Sequence, residues 1–273
     1  MSALVLTLKA PPRQRVDLSP LTPERLRGHR AGDIERIELA SGNRQVRVGE
    51  LFDVAAGDPD EVVIRGSCAR FDFIGQGMSA GAITVEGDAG AYLGQEMQSG
   101  RLRVTGGAGP WAAAGMTGGM IEIGGDAGDF LGGARPGDMR GMSGGIVAVR
   151  GRAGERAGDR MRRGVILVEG GAGAYAGSRM IAGTLILLGS TVGAYPGFGM
   201  KRGTLLLRQW PLRRLPTFAD CGMHELGFLR LLTRSLGDIG SGAAILRELG
   251  PRVRRFVGDA AADGKGEILL WQP

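Results

Sequence analysis

From residue 78 to residue 207, apolar side chains come in pairs at alternate positions, and the pairs recur at an almost constant distance. They are Ile83/Val85, Leu102/Val104, Ile121/Ile123, Val147/Val149, Ile166/Val168, Leu185/Leu187 and Leu205/Leu207. A spacing of two is the β-strand period, so each pair predicts a short strand with one buried face. A methionine stands five residues before the first member of every pair, at Met78, Met97, Met116, Met142, Met161, Met180 and Met200. Successive methionines are 19, 19, 26, 19, 19 and 20 residues apart, a 19-residue period with one seven-residue insertion, Gly133 to Met139. Such self-similarity is the sequence signature of a repeat architecture.

Glycines punctuate every copy. One follows the methionine by three residues (Gly81, Gly100, Gly119, Gly145, Gly164, Gly183, Gly203), and a second closes the strand (Gly87, Gly106, Gly125, Gly151, Gly170, Gly189). A third comes at Gly90, Gly109, Gly128, Gly154, Gly173 and Gly193, and two residues later stands a large side chain: Tyr92, Trp111, Phe130, Tyr175 or Tyr195, with Arg156 in the fourth copy. That copy is expected to look different. A unit this small cannot bury a core alone, so neighbouring copies must stack and cover one another's apolar rows. The expected fold is mainly β: a right-handed parallel β-helix of about 19-residue Gly-rich rungs, roughly 4.8 Å per rung and about 35 Å long. Glycine suits the sharp corners because αL backbone costs other residues roughly 1–2 kcal/mol. A leucine-rich horseshoe is excluded, because its Leu and Asn ladder is absent and nothing between the strands has helical periodicity.

The period divides the chain into an N-terminal α/β cap over 1–60, a repeat domain over 61–208 and a C-terminal helical cap over 209–273. In the first segment, Leu4 to Leu8 reads as a strand, and a short helix begins with Thr22 as N-cap and Pro23 at its first position and stops at Gly28. Alternating Ile34, Ile37, Leu39, Val46 and Val48 flank a turn at Ser41-Gly42-Asn43, and Val62 to Gly66 forms an irregular first rung. In the last segment, Leu226, Leu229, Leu232 and Leu236, with Phe228 and Leu231 beside them, fall on one helical face. Ile245 to Leu249 suggests a second helix, and Val253 to Val257 and Glu267 to Trp271 are extended. Caps are a physical requirement, since open ends of a stack expose unpaired rungs.

Chemistry is sparse. His29 and His224 are the only histidines and read as ordinary surface, so neither a Ser/His/Asp set nor a histidine metal cluster is expected. Cys68 and Cys221 lack metal-ligand spacing and are expected to be buried thiols. Asp88, Asp126 and Asp129 are expected at turns, each satisfying its own backbone. Gly75-Gln76-Gly77 and Gly197-Phe198-Gly199 resemble phosphate loops but precede strands, so they read as corners. The methionine row reads as an interior ladder. No catalytic or metal-binding residue is assigned.

The net charge of +6 is carried almost entirely by arginine, with lysine only at Lys9, Lys201 and Lys265. A basic surface suits an anionic partner. The densest cluster is Arg150, Arg152, Arg156, Arg160, Arg162 and Arg163, with Arg135 and Arg140 just before it; Arg135, Arg140, Arg156, Arg160, Arg162 and Arg163 are the candidate contacts to such a partner, and the insertion is the expected docking loop. Asp138, Glu155 and Asp159 interrupt the cluster, and no nucleic-acid motif accompanies it, so no nucleic-acid partner is expected. No apolar run is long enough to span a bilayer and no signal peptide is apparent, so a cytoplasmic protein is expected.

The GxGMxxGxIxVxGxAG rungs resemble the glycine-rich β-helix of the formylmethanofuran dehydrogenase C subunit and of the C-terminal domain of glutamate synthase large subunits. Gly49-Glu50-Leu51-Phe52-Asp53-Val54, Phe256-Val257-Gly258-Asp259 and Gly264-Lys265-Gly266-Glu267-Ile268 are similar to the flanks of the dehydrogenase C subunit, so that resemblance covers essentially the whole chain. It departs from the pattern at Glu96, Arg160 and Arg179, which replace the glycine before Met, and at Arg156. The resemblance implies a non-catalytic subunit. Archaeal members belong to complexes that interconvert carbon dioxide and formylmethanofuran with molybdenum or tungsten and iron–sulfur subunits. The similar bacterial formyltransferase/hydrolase complex moves a formyl group from tetrahydromethanopterin to a methanofuran analogue and hydrolyses it to formate. The arginine bias, suggesting a GC-rich genome, favours the bacterial version. Its zinc-dependent hydrolase and its formyltransferase would be separate partner subunits, leaving this chain without a cofactor of its own. The alternatives are a glutamate-synthase-type spacer working with separate catalytic chains, and a free-standing anion-binding protein.

Overall fold

The computed structural model describes residues 2–236, 239, 246 and 249–271. The N-terminal segment holds β1 (Ala3–Leu8), β2 (Val16–Asp17), α1 (Pro23–Leu26), α2 (Ala31–Glu35), β3 (Glu38–Ser41), β4 (Arg44–Arg47), α3 (Val48–Leu51), β5 (Phe52–Ala55), β6 (Asp58–Ser67) and β7 (Phe71–Asp72). The repeats supply β8 (Ala82–Gly87), β9 (Arg101–Val104), β10 (Met120–Ile123), β11 (Ser143–Val149), β12 (Arg163–Val168), β13 (Thr184–Leu187) and β14 (Thr204–Leu207). β15 (Ala219–Glu225), α4 (Phe228–Ser235), β16 (Arg252–Gly258), a 3₁₀ turn (Ala260–Ala262) and β17 (Gly266–Trp271) follow.

The protein is mainly β and organised on one large, mostly parallel sheet of 13 strands in the order β15-β16-β17-β14-β13-β12-β11-β10-β9-β8-β6-β1-β5. Chain order equals spatial order from β8 to β14. The register aligns equivalent residues: Ile83 pairs with Leu102, Leu102 with Ile121, Ile121 with Val147, Val147 with Ile166, Ile166 with Leu185 and Leu185 with Leu205. A second parallel row links Ala89, Ala108, Ala127, Ala153, Ala172 and Val192. Every apolar pair from β8 to β14 and all seven methionines are buried in one continuous core.

The Met-x-x-Gly spacing has a steric cause. A Cβ on Gly119 would lie 2.9 Å from the Met97 terminal methyl and 2.8 Å from the Gly100 carbonyl oxygen, and Gly119 has φ +83°. The same encounter recurs between Met78 and Gly100 and between Met116 and Gly145. The methionine of one copy thus fills the space left by the missing side chain of the next copy's glycine, which close packing demands.

β1 forms where expected, α1 starts at Pro23, and Gly28 follows with φ +81°. Ile34 lies in α2 rather than in an extended run, because its neighbours Ala31 and Glu35 are good helix formers; the predicted hairpin is confined to β3 and β4. In the C-terminal segment, β15 to β17 form an antiparallel extension joined in parallel to β14 through β17, so that segment is mixed rather than helical. α4 matches the leucine-rich stretch, while most of the helix expected over Ile245 to Leu249 lies outside the described residues.

The C-terminal segment also covers a face. In β9 the outward positions are Arg101 and Arg103, both exposed, whereas Leu167, Ile186 and Leu206 of β12 to β14 are fully buried. They form a second apolar cluster with Leu229, Leu236, Val253, Leu269 and Trp271. Strands buried on both faces read as continuous apolar runs, which is why Val165 to Val168 and Leu185 to Leu188 show no polar alternation. Cys68 is half-buried and Cys221 exposed, contrary to expectation, because Cys221 sits in edge strand β15 rather than in the repeat core.

Replacing Gly119 with Ala should lower the denaturation midpoint by the equivalent of about 2–4 kcal/mol, combining overpacking with αL strain. Gly137→Ala, at φ +88° with no atom within 4 Å of a new Cβ, should cost only about 1–2 kcal/mol. Chemical denaturation followed by far-UV circular dichroism separates the two.

Candidate functional site

Two of the rows of corner residues in left-handed backbone along the stacked repeats carry large or charged side chains. The first is Phe73, Tyr92, Trp111, Phe130, Arg156, Tyr175 and Tyr195, all with φ between 57° and 61°. The second includes Glu96, Arg160 and Arg179, at φ 56°, 55° and 53°, with Gly77, Gly115 and Gly199 in equivalent positions. Each non-glycine residue there carries about 1–2 kcal/mol of strain, so large side chains persist only where contacts compensate. In the first row the compensation is stacking, worth about 0.5–1.5 kcal/mol per pair. Ring centroids are 4.9 Å apart for Phe73–Tyr92, 5.5 Å for Tyr92–Trp111 and 5.2 Å for Trp111–Phe130, with planes within 11°.

Arg156 does not distort its copy as the sequence suggested. It keeps the aromatic residues' backbone and lays its guanidinium 4.8 Å from the Tyr175 ring centre, so a cation–π contact replaces a ring pair. The carboxylates correct a second expectation. Asp88 Oδ1 accepts the Gly107 N–H at 2.8 Å, Asp126 the Arg152 N–H at 2.7 Å and Asp129 the Glu155 N–H at 2.7 Å. Each caps the following copy rather than its own turn.

The insertion folds over the corner rows and borders an open groove lined by Trp111, Phe130, Arg135, Asp138, Asp159, Arg160 and Arg179, among others. Arg135 pairs with Asp138 at 2.6 Å and reaches back to Glu96 at 2.9 Å. The Asp138 hydrogen bond, reinforced by Glu96, raises the Arg135 guanidinium pKa above its ordinary value. Asp159 is 1% exposed; Arg179 grips it from Nε at 2.9 Å and Nη2 at 2.6 Å, and the Ser178 hydroxyl donates at 2.6 Å. Met139, on the same insertion, is 68% exposed and receives only the Arg160 guanidinium.

Of the predicted contacts, Arg135 and Arg160 share this groove. Arg156 lies in the aromatic row, Arg140 is exposed, Arg163 opens β12 at the surface, and Arg162 has a buried Nε without an acceptor. Arg135 and Arg160 alone of the six line this groove. Arg135 and Arg179 are neutralised by carboxylates, whereas Arg160 contacts only a thioether and keeps its guanidinium available to an anion. Arg179 was missed as a site residue, although its register position, immediately before Met180, is that of Arg160 before Met161. Among the described residues, no three of His, Cys, Asp and Glu are grouped to hold a metal ion, and no helix is long and apolar enough to cross a membrane.

No family model matches the sequence. Over 97% of its length the chain is 44% identical to the C subunit of the formyltransferase/hydrolase complex Fhc of Methylorubrum extorquens, covering 98% of that protein. The chain belongs to the formylmethanofuran dehydrogenase C-subunit family. Within this family, the C subunit of the tungsten-containing formylmethanofuran dehydrogenase 2 of Methanococcus maripaludis is 36% identical over 34% of this chain and 35% of its own length. The fold agrees: a chain in the crystal structure of the FhcABCD complex from Methylorubrum extorquens, in complex with methylofuran, superposes with a TM-score of 0.90 at 42% identity. That match covers 98% of this chain and 100% of the other.

Arg179→Ala should leave Asp159 buried and unpaired and destabilise the chain by about 1–3 kcal/mol, whereas Arg160→Ala should change stability little. Adding Asp159→Asn to Arg179→Ala should recover part of the loss. Denaturation midpoints of the parent, the two single variants at Arg179 and Asp159 and the double variant, read as a double-mutant cycle, check the coupling.

Proposed function

We propose that this chain is a non-catalytic scaffold subunit of a formyltransferase/hydrolase complex in one-carbon metabolism, holding hydrolase and formyltransferase subunits at a fixed separation. The observation that carries this reading is the extent of the similarity. The relative from the bacterial complex aligns over 97% of the chain, flanks included, while the archaeal relative aligns over 34%. A spacer of the glutamate-synthase type would share the rungs but not the flanks. The reading includes a right-handed parallel β-helix over 61–208, capped by 1–60 and 209–273. The seven-strand parallel register and the second row of alanine bridges support it. A coil whose every rung is hydrogen-bonded to the next is stiff, which suits a spacer.

In this reading a methanofuran-type carrier, methylofuran in the Methylorubrum extorquens complex, swings between the two catalytic subunits while this chain makes no bonds in it. Zinc and tetrahydromethanopterin belong to the partner subunits. The basic surface around the insertion then holds the carrier's acidic tail, with Arg160, Arg162 and Arg163 as principal contacts. Exposed charge pairs of this kind contribute about 0.2–1 kcal/mol each and are screened by salt.

Co-expression with hydrolase and formyltransferase subunits should give a complex that survives purification; a chain that purifies free of both overturns the scaffold reading. In the assembled complex, replacing Arg160, Arg162 and Arg163 with Ala should slow carrier turnover at low salt and less so at high salt. Turnover equal to that of the parent under both conditions removes the tail-binding role and leaves the scaffold role standing.

A further inference from the structure

Large apolar side chains left in solvent are unevenly distributed. Among the described residues seven such side chains are exposed, and five of them (Trp210, Leu212, Met223, Phe228 and Leu231) lie between residues 210 and 231. Leu212 is 80% and Leu231 72% exposed, although burying a side chain of this type is ordinarily favourable. Single exposed leucines are ordinary, but a cluster marks an interaction surface.

Arginines border the cluster. Trp210 and Leu212 line an open groove together with Arg213, Arg214, Asp220 and Arg254. Arg254 grips Asp220 with contacts of 2.6 and 3.0 Å, and that pairing holds the Asp220 carboxyl below its ordinary range. The groove's one carboxylate is thereby used up. Arg214 stacks 4.9 Å from the Trp210 ring centre, which orients its guanidinium without neutralising it, and Arg213 is exposed. Met223 sits opposite Arg254 in the β15/β16 register, which carries the apolar surface from the groove onto edge strand β15. Trp, Met and Arg are the residue types enriched in protein interfaces.

We infer that this C-terminal face, from Trp210 to Met223, docks an acidic surface of a partner subunit, with Leu212 and Met223 as apolar anchors and Arg213 and Arg214 meeting its carboxylates. The inference rests on the function proposed above and adds which end of the chain makes the contact. The surplus of unpaired arginine selects an acidic protein over a neutral or basic one, and over a second copy of this chain, whose matching face would bring arginine against arginine.

The test uses the full chain and the hydrolase and formyltransferase subunits, with association constants measured by calorimetry or sedimentation. Leu212→Asp combined with Met223→Asp should weaken binding to one of the subunits by roughly thirtyfold or more, the scale of an interface hot spot, while leaving the melting temperature unchanged. Arg213→Glu should weaken it and steepen the loss with salt, and Arg213→Lys should restore much of the affinity. Met139→Asp, on the insertion, should not affect it. Parent-like affinity in the Leu212/Met223 variant, loss with Met139→Asp instead, or self-association of the parent chain abolished by the double substitution each overturns the inference. Failure of the parent chain to bind either subunit overturns the scaffold reading itself, so the two failures are distinguishable.

Discussion

Parallel, in-register hydrogen bonding between each 19-residue copy and its neighbours is the constraint on which the other features rest. It makes equivalent residues meet directly, so each position must be compatible with its own kind a few ångströms away. The Met97 methyl occupies the space above Gly119, and Ile83, Leu102 and Ile121 form one continuous apolar row. A residue that could not stack on its counterpart would have to break a ladder on both sides. The seven-residue insertion is tolerated because it leaves at a corner and returns to the same register, with Ile121 still opposite Val147.

The same constraint turns corners into the places where side chains can differ. A corner in αL backbone favours glycine, yet Tyr92, Trp111, Phe130 and Arg156 occupy one. Strain of about 1–2 kcal/mol per residue is offset where rings stack, Tyr92 on Trp111 and Trp111 on Phe130, and Arg156 keeps that pattern by resting on Tyr175. Glu96, Arg160 and Arg179 occupy the other such row, and the two arginines there differ in consequence: Arg179 is spent on the buried Asp159, while Arg160 remains available at the surface. The rigid part of the molecule thus dictates where charge is displayed but not which charge is displayed.

Much of this was legible in the chain. Methionine, glycine and alternating apolar positions announced the strands and their register, because a stacked repeat writes its spatial neighbours as a sequence period. Features that depend on contacts between unlike segments were not. Leu167, Ile186 and Leu206 read as surplus hydrophobicity until the C-terminal segment was seen to pack on them. The aspartates at positions 88, 126 and 129 have turn-like surroundings, and only the stack reveals that they cap the next copy. The candidate arginines were chosen by density along the chain, whereas only the structure shows that Arg160 lines the groove and Arg163 starts a strand.

The sequence by itself determined the repeat, its strands, its interior ladder and the family to which the chain belongs, because periodic stacking leaves the same side chain wherever the same neighbour is met. Tertiary structure alone decided which arginines remain unpaired, which face of the sheet is covered and where apolar side chains stay in solvent. Those properties arise where a periodic surface meets aperiodic segments, and no spacing along the chain encodes which groups will face each other there.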